Sequence, residues 1–113
     1  MPSLAVNDLS RATRWYEESL GFDVVFTNGE PVVFAILSRD GVELSLTSAQ
    51  PDRVGKSAVY LKLEGVDQLY ERLRSLDVEM IHTLTDEPYG MRECLFEDLD
   101  GNQINLGEPI GSG

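Results

Sequence analysis

The sequence predicts an α+β fold built from two similar units, each ordered as one strand, one helix and three further strands. Residues 4–24 and 61–78 share an order of apolar strand, acidic turn, amphipathic helix and second strand. Each stretch is followed by two alternating segments that meet at an Asp-Gly turn, Asp40-Gly41 in the first unit and Asp100-Gly101 in the second. The chain is therefore interpreted as a tandem repeat.

Apolar residues at helical spacing predict one helix in each unit. In the first helix, Ser10 is expected to cap the start and Gly21 to end the helix. The apolar positions of this helix are Leu9, Ala12, Trp15 or Tyr16, and Leu20. Those of the second helix are Val66, Leu69, Tyr70, Leu73 and Leu76. Each helix should lay its apolar stripe on a sheet.

The Asp-Gly turns allow two registers for the hairpins. A two-residue type I′ turn and a three-residue loop with Gly in the left-handed position place opposite sets of residues on the core face. We predict the three-residue loop, because it produces uniform apolar faces. The predicted core residues are then Phe34, Ile36, Leu44 and Leu46 in the first unit and Cys94, Phe96, Ile104 and Leu106 in the second.

The opposite faces carry polar and apolar residues together. In the first unit these are Ala35, Leu37, Glu43, Ser45 and Thr47, and in the second Glu93, Leu95, Glu97, Gln103 and Asn105. The alternating strand over residues 57–64 adds Ala58, Tyr60 and Lys62. This mixture is typical of a ligand pocket, although a solvated outer face would show the same pattern.

Length and composition indicate one domain. The chain has 113 residues, of which 42% are hydrophobic, and a second copy would help so small a domain to bury surface, so a homodimer is expected. We predict a single domain over residues 1–110, with a first module at about 1–47, a linker at about 48–56 and a second module at about 57–107. The final Gly-Ser-Gly, 111–113, is expected to be a flexible tail.

The formal charge of −11 argues against partners that are polyanions. Nucleic acid and anionic membranes need Lys and Arg contacts, whereas a cationic ligand would be attracted; an acidic surface that only keeps the protein in solution is the alternative. Cys94 is the single cysteine, so no intramolecular disulfide is possible. Without an apolar segment of membrane-spanning length, a cytoplasmic location is expected.

Three motifs resemble the vicinal oxygen chelate superfamily, and most of all its glyoxalase/bleomycin-resistance proteins. They are the helix end Tyr16-x-x-x-Leu20-Gly21-Phe22, the aromatic-Gly pair Tyr89-Gly90 and the turn 98–102, Asp-Leu-Asp-Gly-Asn. The resemblance covers essentially the whole chain. It implies two tandem βαβββ modules that form a curved mixed sheet with a concave pocket.

The resemblance also marks where a metal would be held. Metal-dependent members use His, Gln or Glu from the first and fourth strands of each module, and these positions fall at Met1, Ser45, Ala58 and Asn105. None of these side chains is a good ligand for zinc, iron or manganese, so we expect no metal and no cofactor. His82 is the single histidine and could act as an acid or base, but a lone strand histidine is more often structural.

Metal-free members of the family imply a binding function. They are acidic dimers whose grooves hold a bulky cationic antibiotic, with aromatic rings against planar cations and carboxylates as counter-charges. The expected function is small-molecule binding and sequestration, with antibiotic resistance as one outcome; the alternative is a metal-dependent isomerase, lyase or dioxygenase. The expected ligand-binding residues are Leu37, Glu43, Ser45, Tyr60, Tyr89, Glu93 and Asn105.

Overall fold

The computed structural model describes residues 1–111 and contains two βαβββ units in tandem. The first comprises β1 (Ser3–Ala5), α1 (Leu9–Leu20), β2 (Asp23–Asn28), β3 (Phe34–Arg39) and β4 (Val42–Thr47). The second comprises β5 (Ala58–Lys62), α2 (Val66–Ser75), β6 (Met80–Asp86), β7 (Met91–Glu97) and β8 (Gln103–Pro109). A short 3-10 helix at Pro51–Arg53 lies between them. Of the expected flexible tail, residues 112–113 lie outside the described part of the chain.

Each unit forms its own four-stranded mixed sheet. The strand orders are β1-β4-β3-β2 and β5-β8-β7-β6. In both sheets the first strand pairs in parallel with the fourth, and the remaining neighbours are antiparallel. The predicted α+β class and the tandem repeat are therefore confirmed. Within residues 1–111, neither helix has the length or the apolar character needed to cross a membrane.

The N-cap of helix α1 lies two residues before the predicted one. Asp8, in an extended conformation, is the N-cap residue, and its carboxylate accepts a hydrogen bond of 3.1 Å from the Arg11 amide. The prediction of Ser10 is wrong, because Ser10 already lies inside the first turn. Gly21 ends the helix at φ 71°, as predicted, and of the two aromatic alternatives it is Tyr16 that is fully buried.

Helix α2 is capped from a distant strand. Its N-cap, Gly65, has no side chain, and the Glu108 carboxylate on β8 accepts hydrogen bonds from the Gly65 and Val66 amides at 3.0 and 3.1 Å. This places a negative charge at the positive end of the helix dipole. The predicted apolar stripe is buried at Val66, Leu69 and Leu73, whereas Leu76 follows the last helical residue and is half exposed.

The two hairpins adopt different loops despite the shared Asp-Gly pair. In the second hairpin, the Asp98 amide donates a hydrogen bond to the Asn102 carbonyl, so the loop between them has three residues. The predicted core and outer faces of β7 and β8 are therefore correct. In the first, Arg39 pairs with Val42 across a two-residue turn, so the predicted register is wrong. Ala35 and Leu37 are therefore buried in the core beside Leu44 and Leu46, and the outer face carries Phe34 and Ile36.

Asp98 explains why the loops differ. Its Oδ1 accepts hydrogen bonds of 2.9 Å from both the Asp100 and the Asn102 amides, which hold the wider loop. In the first hairpin Ser38 stands two residues before Asp40, as Asp98 does before Asp100, and it has no carboxylate to accept both amides. There Asp40 and Gly41 have φ of 50° and 81°, the pair of left-handed residues that a type I′ turn requires.

The same Asp98 side chain joins the two units. Its Oδ2 accepts hydrogen bonds from the Tyr16 hydroxyl at 2.7 Å and from the Asn102 side-chain Nδ2 at 3.1 Å. Asn102 also donates to the Ala5 carbonyl at 2.9 Å. We call Tyr16, Asp98 and Asn102 the polar junction. The hydrophobic core is continuous around it, with Trp15 of α1 lying 6.3 Å from Phe96 of β7 between ring centroids.

Replacing Tyr16 with Phe should destabilise the protein measurably. The Asp98 carboxylate would lose one donor in a buried site, and a hydrogen bond to a charged group contributes about 1.5–3 kcal/mol. We expect the free energy of unfolding from urea denaturation to fall by that amount. Tyr70→Phe on α2, where the ring is only partly buried, is the matched control and should stay within about 0.5 kcal/mol. Equal losses in the two variants would contradict the role given to the polar junction.

Candidate functional site

The outer face of the second sheet, turned away from the helices, forms a cleft. One part, of about 200 Å³, is bordered by His82 and Glu93, and an adjoining part of about 320 Å³ by Tyr60. Leu95 and Asn105 line both parts. We call the combined depression the outer cleft. Its lining comes from β5, β6, β7, β8 and the loop before β7, all in the second unit.

A carboxylate held between two phenols borders the outer cleft. The Tyr60 hydroxyl on β5 donates to Glu93 Oε2 at 2.6 Å, and the Tyr89 hydroxyl in the loop before β7 donates to Glu93 Oε1. The ion pairs within residues 1–111 involve other carboxylates. Both donors to Glu93 are therefore neutral groups, and its negative charge is oriented without being cancelled.

This arrangement raises the pKa of both phenols above the ordinary tyrosine value. The hydrogen bond to Glu93, followed by desolvation and the Glu93 charge, raises the pKa of Tyr89 to about 12. Desolvation first, then the hydrogen bond to Glu93, holds the pKa of Tyr60 well above its ordinary value. Both side chains remain partly exposed, so their ring faces are accessible to a ligand. The cluster thus combines a fixed anion with two aromatic surfaces.

Asn105 presents an unsatisfied acceptor. Its side-chain Oδ1 is buried and has no hydrogen-bond partner among the residues that the structure describes. An unpaired buried acceptor costs about 1–3 kcal/mol, and native proteins rarely leave one without a partner. Asn105 lies directly opposite Leu95 on β7 and lines both parts of the outer cleft. A donor group entering the outer cleft would satisfy it.

Sequence reasoning missed the β6 side of the outer cleft. His82 borders the cleft together with Thr83, Thr85 and Glu87. Alternation along the strand is the signal that could have found them. Register shifts between Met80 and His82 and between His82 and Thr85 interrupt that alternation along β6.

The first-unit candidates do not reach the outer cleft. Leu37 is 0% exposed and packs in the core, so its predicted place on the concave face is wrong; the two-residue turn reverses its side. Glu43 is exposed and Ser45 is buried, and both lie on the outer face of the first sheet, where Ser45 is opposite Ile36. Neither is part of the lining of the outer cleft.

The outer face of the first sheet carries an apolar cluster on β2 and β3. Phe26 and Phe34 pack edge to face with centroids 6.3 Å apart, and Ile36 is the strand partner of Phe26. Phe26 is 50% exposed. We call Phe26, Phe34 and Ile36 the apolar platform. A surface of this kind in a monomeric chain commonly marks an interaction site.

The strand registers also place the four family metal positions. Ser45 is equivalent to Asn105 and Met1 to Ala58, because β1 pairs with β4 in the same parallel register as β5 with β8. A thioether, a hydroxyl, a methyl and an amide do not form the donor set that a divalent transition metal requires. Within residues 1–111, no three His, Cys, Asp or Glu side chains cluster in a way that could hold a metal ion. These residues do not fit the metal of the metal-dependent relatives.

Comparisons with known proteins agree with the fold and the motifs. A bleomycin resistance protein of Geobacillus stearothermophilus is 25% identical over 131 aligned positions, which cover 99% of this chain and 97% of that protein. TnmS3, an antibiotic binding protein from Streptomyces sp. CB03234, has a TM-score of 0.81 and 28% identity over 95% of this chain and 91% of its own. TioX from Micromonospora sp. ML1 has a TM-score of 0.80 and 22% identity over 95% and 94%.

A family model covers almost the whole chain. It matches residues 2–106 and confirms the resemblance inferred from the motifs. The chain therefore belongs to the Glyoxalase/Bleomycin resistance protein/Dioxygenase superfamily.

Proposed function

We propose that this protein binds and sequesters a small aromatic cation in the outer cleft, without a metal. The observation that carries the proposal is the Glu93 carboxylate, which is held by the hydroxyls of Tyr60 and Tyr89 and has no cation as partner within residues 1–111. Such a site lacks a positive charge of its own, and a ligand can supply it.

The hydrogen-bond acceptors at the outer cleft favour ligands that carry hydrogen-bond donors. Glu93 and the free Oδ1 of Asn105 both accept hydrogen bonds, so a matching ligand carries N–H groups. A planar cation against the ring of Tyr60 or Tyr89 gains about 0.5–2 kcal/mol per contact. The net charge of −11 attracts cations from solution. Leu95 supplies an apolar wall between these groups.

Relatives support an antibiotic as the ligand class. The Geobacillus protein is a bleomycin resistance protein, and TnmS3 is an antibiotic binding protein at 28% identity. Sequestration needs only binding, and the residues at the four family metal positions favour it over the alternative of a metal-dependent isomerase, lyase or dioxygenase. A cytoplasmic location belongs to the same proposal, supported by the single, buried, free thiol of Cys94.

The functional unit is proposed to be a homodimer. The described chain is elongated, 49 × 25 × 24 Å, and the outer faces of its two sheets are open. Strand β2 and the following loop expose the apolar residues Val24, Val25, Phe26, Val32 and Val33. A second copy that laid its apolar platform over the outer cleft would bury this surface and enclose the ligand. The exposed Glu43 would then act from the partner side of the cleft, with the buried Ser45 behind it on the same face.

Binding of planar dyes tests the ligand class. Proflavine, a cationic ring system with amino groups, should bind to EDTA-treated protein, and acridine, its neutral parent ring, should bind at least about tenfold more weakly near neutral pH. Glu93→Gln should weaken proflavine binding about tenfold or more, because the counter-charge is lost. Isothermal titration calorimetry measures both.

Glu97→Gln is the matched control for this experiment. Glu97 lies on the same strand and the same face, outside the lining of the outer cleft, and its substitution removes the same charge. Proflavine affinity should change less than about twofold in this variant. Binding that required an added divalent metal, or that fell equally in both variants, would contradict the proposed site.

Sedimentation velocity tests the dimer. The wild-type protein should sediment with twice the mass of one chain, and Phe26→Asp should shift it to the monomer, because a charge in a buried apolar contact is costly. Leu99→Asp is the control, since Leu99 is comparably exposed but lies in the second hairpin loop, outside the apolar platform. A monomeric wild-type protein at the concentrations used for dye binding would refute the shared cleft.

A further inference from the structure

We propose that Gly107 is a positioning residue of the outer cleft: because it has no side chain, the ring of Tyr60 lies across β8 and presents its hydroxyl to Glu93. This inference rests on the proposed binding function for its biological meaning. Its structural basis is the path of the Tyr60 side chain, which extends from β5 across β8 to Glu93 on β7.

The strand order requires Tyr60 to cross a neighbouring strand. Tyr60 lies on β5 and Glu93 on β7, with β8 between them. Adjacent strands are about 4.8 Å apart, so the hydroxyl must reach over one full strand. On β8, the residue directly opposite Glu93 is Gly107. The ring therefore passes over Gly107 on its way to the carboxylate.

A side chain at Gly107 would occupy the place of the ring. A Cβ built there overlaps the Tyr60 hydroxyl oxygen and lies 2.5 Å from Cζ and 3.1 Å from Cε1. The φ of Gly107 is outside the left-handed region, so its backbone accepts any residue. The glycine is therefore needed for the close approach of the ring and not for the conformation of the strand.

The first unit lacks all three components of this arrangement. By strand register, Tyr60 corresponds to Ser3, Gly107 to Thr47 and Glu93 to Phe34. The first unit thus has no tyrosine at the position of Tyr60, and it also has no glycine and no carboxylate at the positions of Gly107 and Glu93. The three residues thus form one unit of structure that is confined to the second half of the repeat.

Titration of the phenols without ligand tests the positioning by itself. In the wild-type protein Tyr60 stays protonated as the pH passes about 10, the ordinary tyrosine pKa. In Gly107→Ala the displaced ring loses Glu93, so the pKa of Tyr60 should fall, and tyrosinate absorbance at about pH 11 should rise by nearly one phenol. Adding Tyr60→Phe should remove that increment. A wild-type titration curve in Gly107→Ala would overturn the proposal.

A stability cycle covers the case in which the variant folds poorly. Gly107→Ala should lower the melting temperature by about 5 °C or more when Tyr60 is present. In the Tyr60→Ala background the same substitution should cost little, because no ring remains to displace. Gly111→Ala is the control, since a Cβ there meets open space. Equal losses with and without the tyrosine ring would overturn the proposal.

Dye binding then separates this inference from the proposed function. Gly107→Ala should weaken proflavine binding about tenfold, because the cation would meet a displaced ring and a less ordered carboxylate. Wild-type protein that bound no proflavine would refute the proposed function, and the phenol titration would still decide the role of Gly107. Proflavine affinity unchanged in a Gly107→Ala protein with an altered titration would overturn the part of the inference that concerns the ligand.

Discussion

The buried carboxylate of Asp98 is the interaction on which the rest of the structure depends. It is 7% exposed and accepts hydrogen bonds from the Tyr16 hydroxyl, the Asn102 side chain and the amides of Asp100 and Asn102. A buried carboxylate is tolerated only when its lone pairs are satisfied, and here they are. The same group shapes a loop, fixes a strand register and ties α1 of one unit to the hairpin of the other.

The register set by Asp98 decides the chemistry of the outer cleft. With β8 kept in place, a shift of one residue would move Glu93 and Leu95 into the core and turn Cys94 and Phe96 outward. The first unit shows this alternative, since a two-residue turn there buries Leu37 and turns Phe34 and Ile36 outward. The same topology therefore carries Glu93, Leu95 and Asn105 on the outer face of one half and the apolar platform on the outer face of the other.

Several groups in and beside the outer cleft lower the stability of the fold without compensating contacts in the described chain. Asn105 leaves a buried acceptor without a partner in the described chain, and Tyr60 and Tyr89 keep aromatic surface in water. Groups arranged against stability in this way are typical of sites that are completed by a ligand. The polar junction and the continuous core supply the rigidity that such a site requires, since the strands that hold Tyr60, Glu93 and Asn105 are fixed by packing on their other face.

The sequence by itself determined the features that depend on neighbours along the chain. Helical spacing and Gly21 define α1, and alternation with an Asp-Gly turn defines the second hairpin, so the tandem βαβββ order and the inward and outward faces of β5, β7 and β8 could be predicted. The structure was needed to see the register of the first hairpin, because Asp-Gly suits both loops and the support of the wider one by Asp98 depends on the orientation of its side chain. It also brought Glu108 to the start of α2 and placed Tyr60 over Gly107 against Glu93. Those contacts join residues that are distant in sequence, and their distances are set by how strands pair and sheets pack, which no local pattern records.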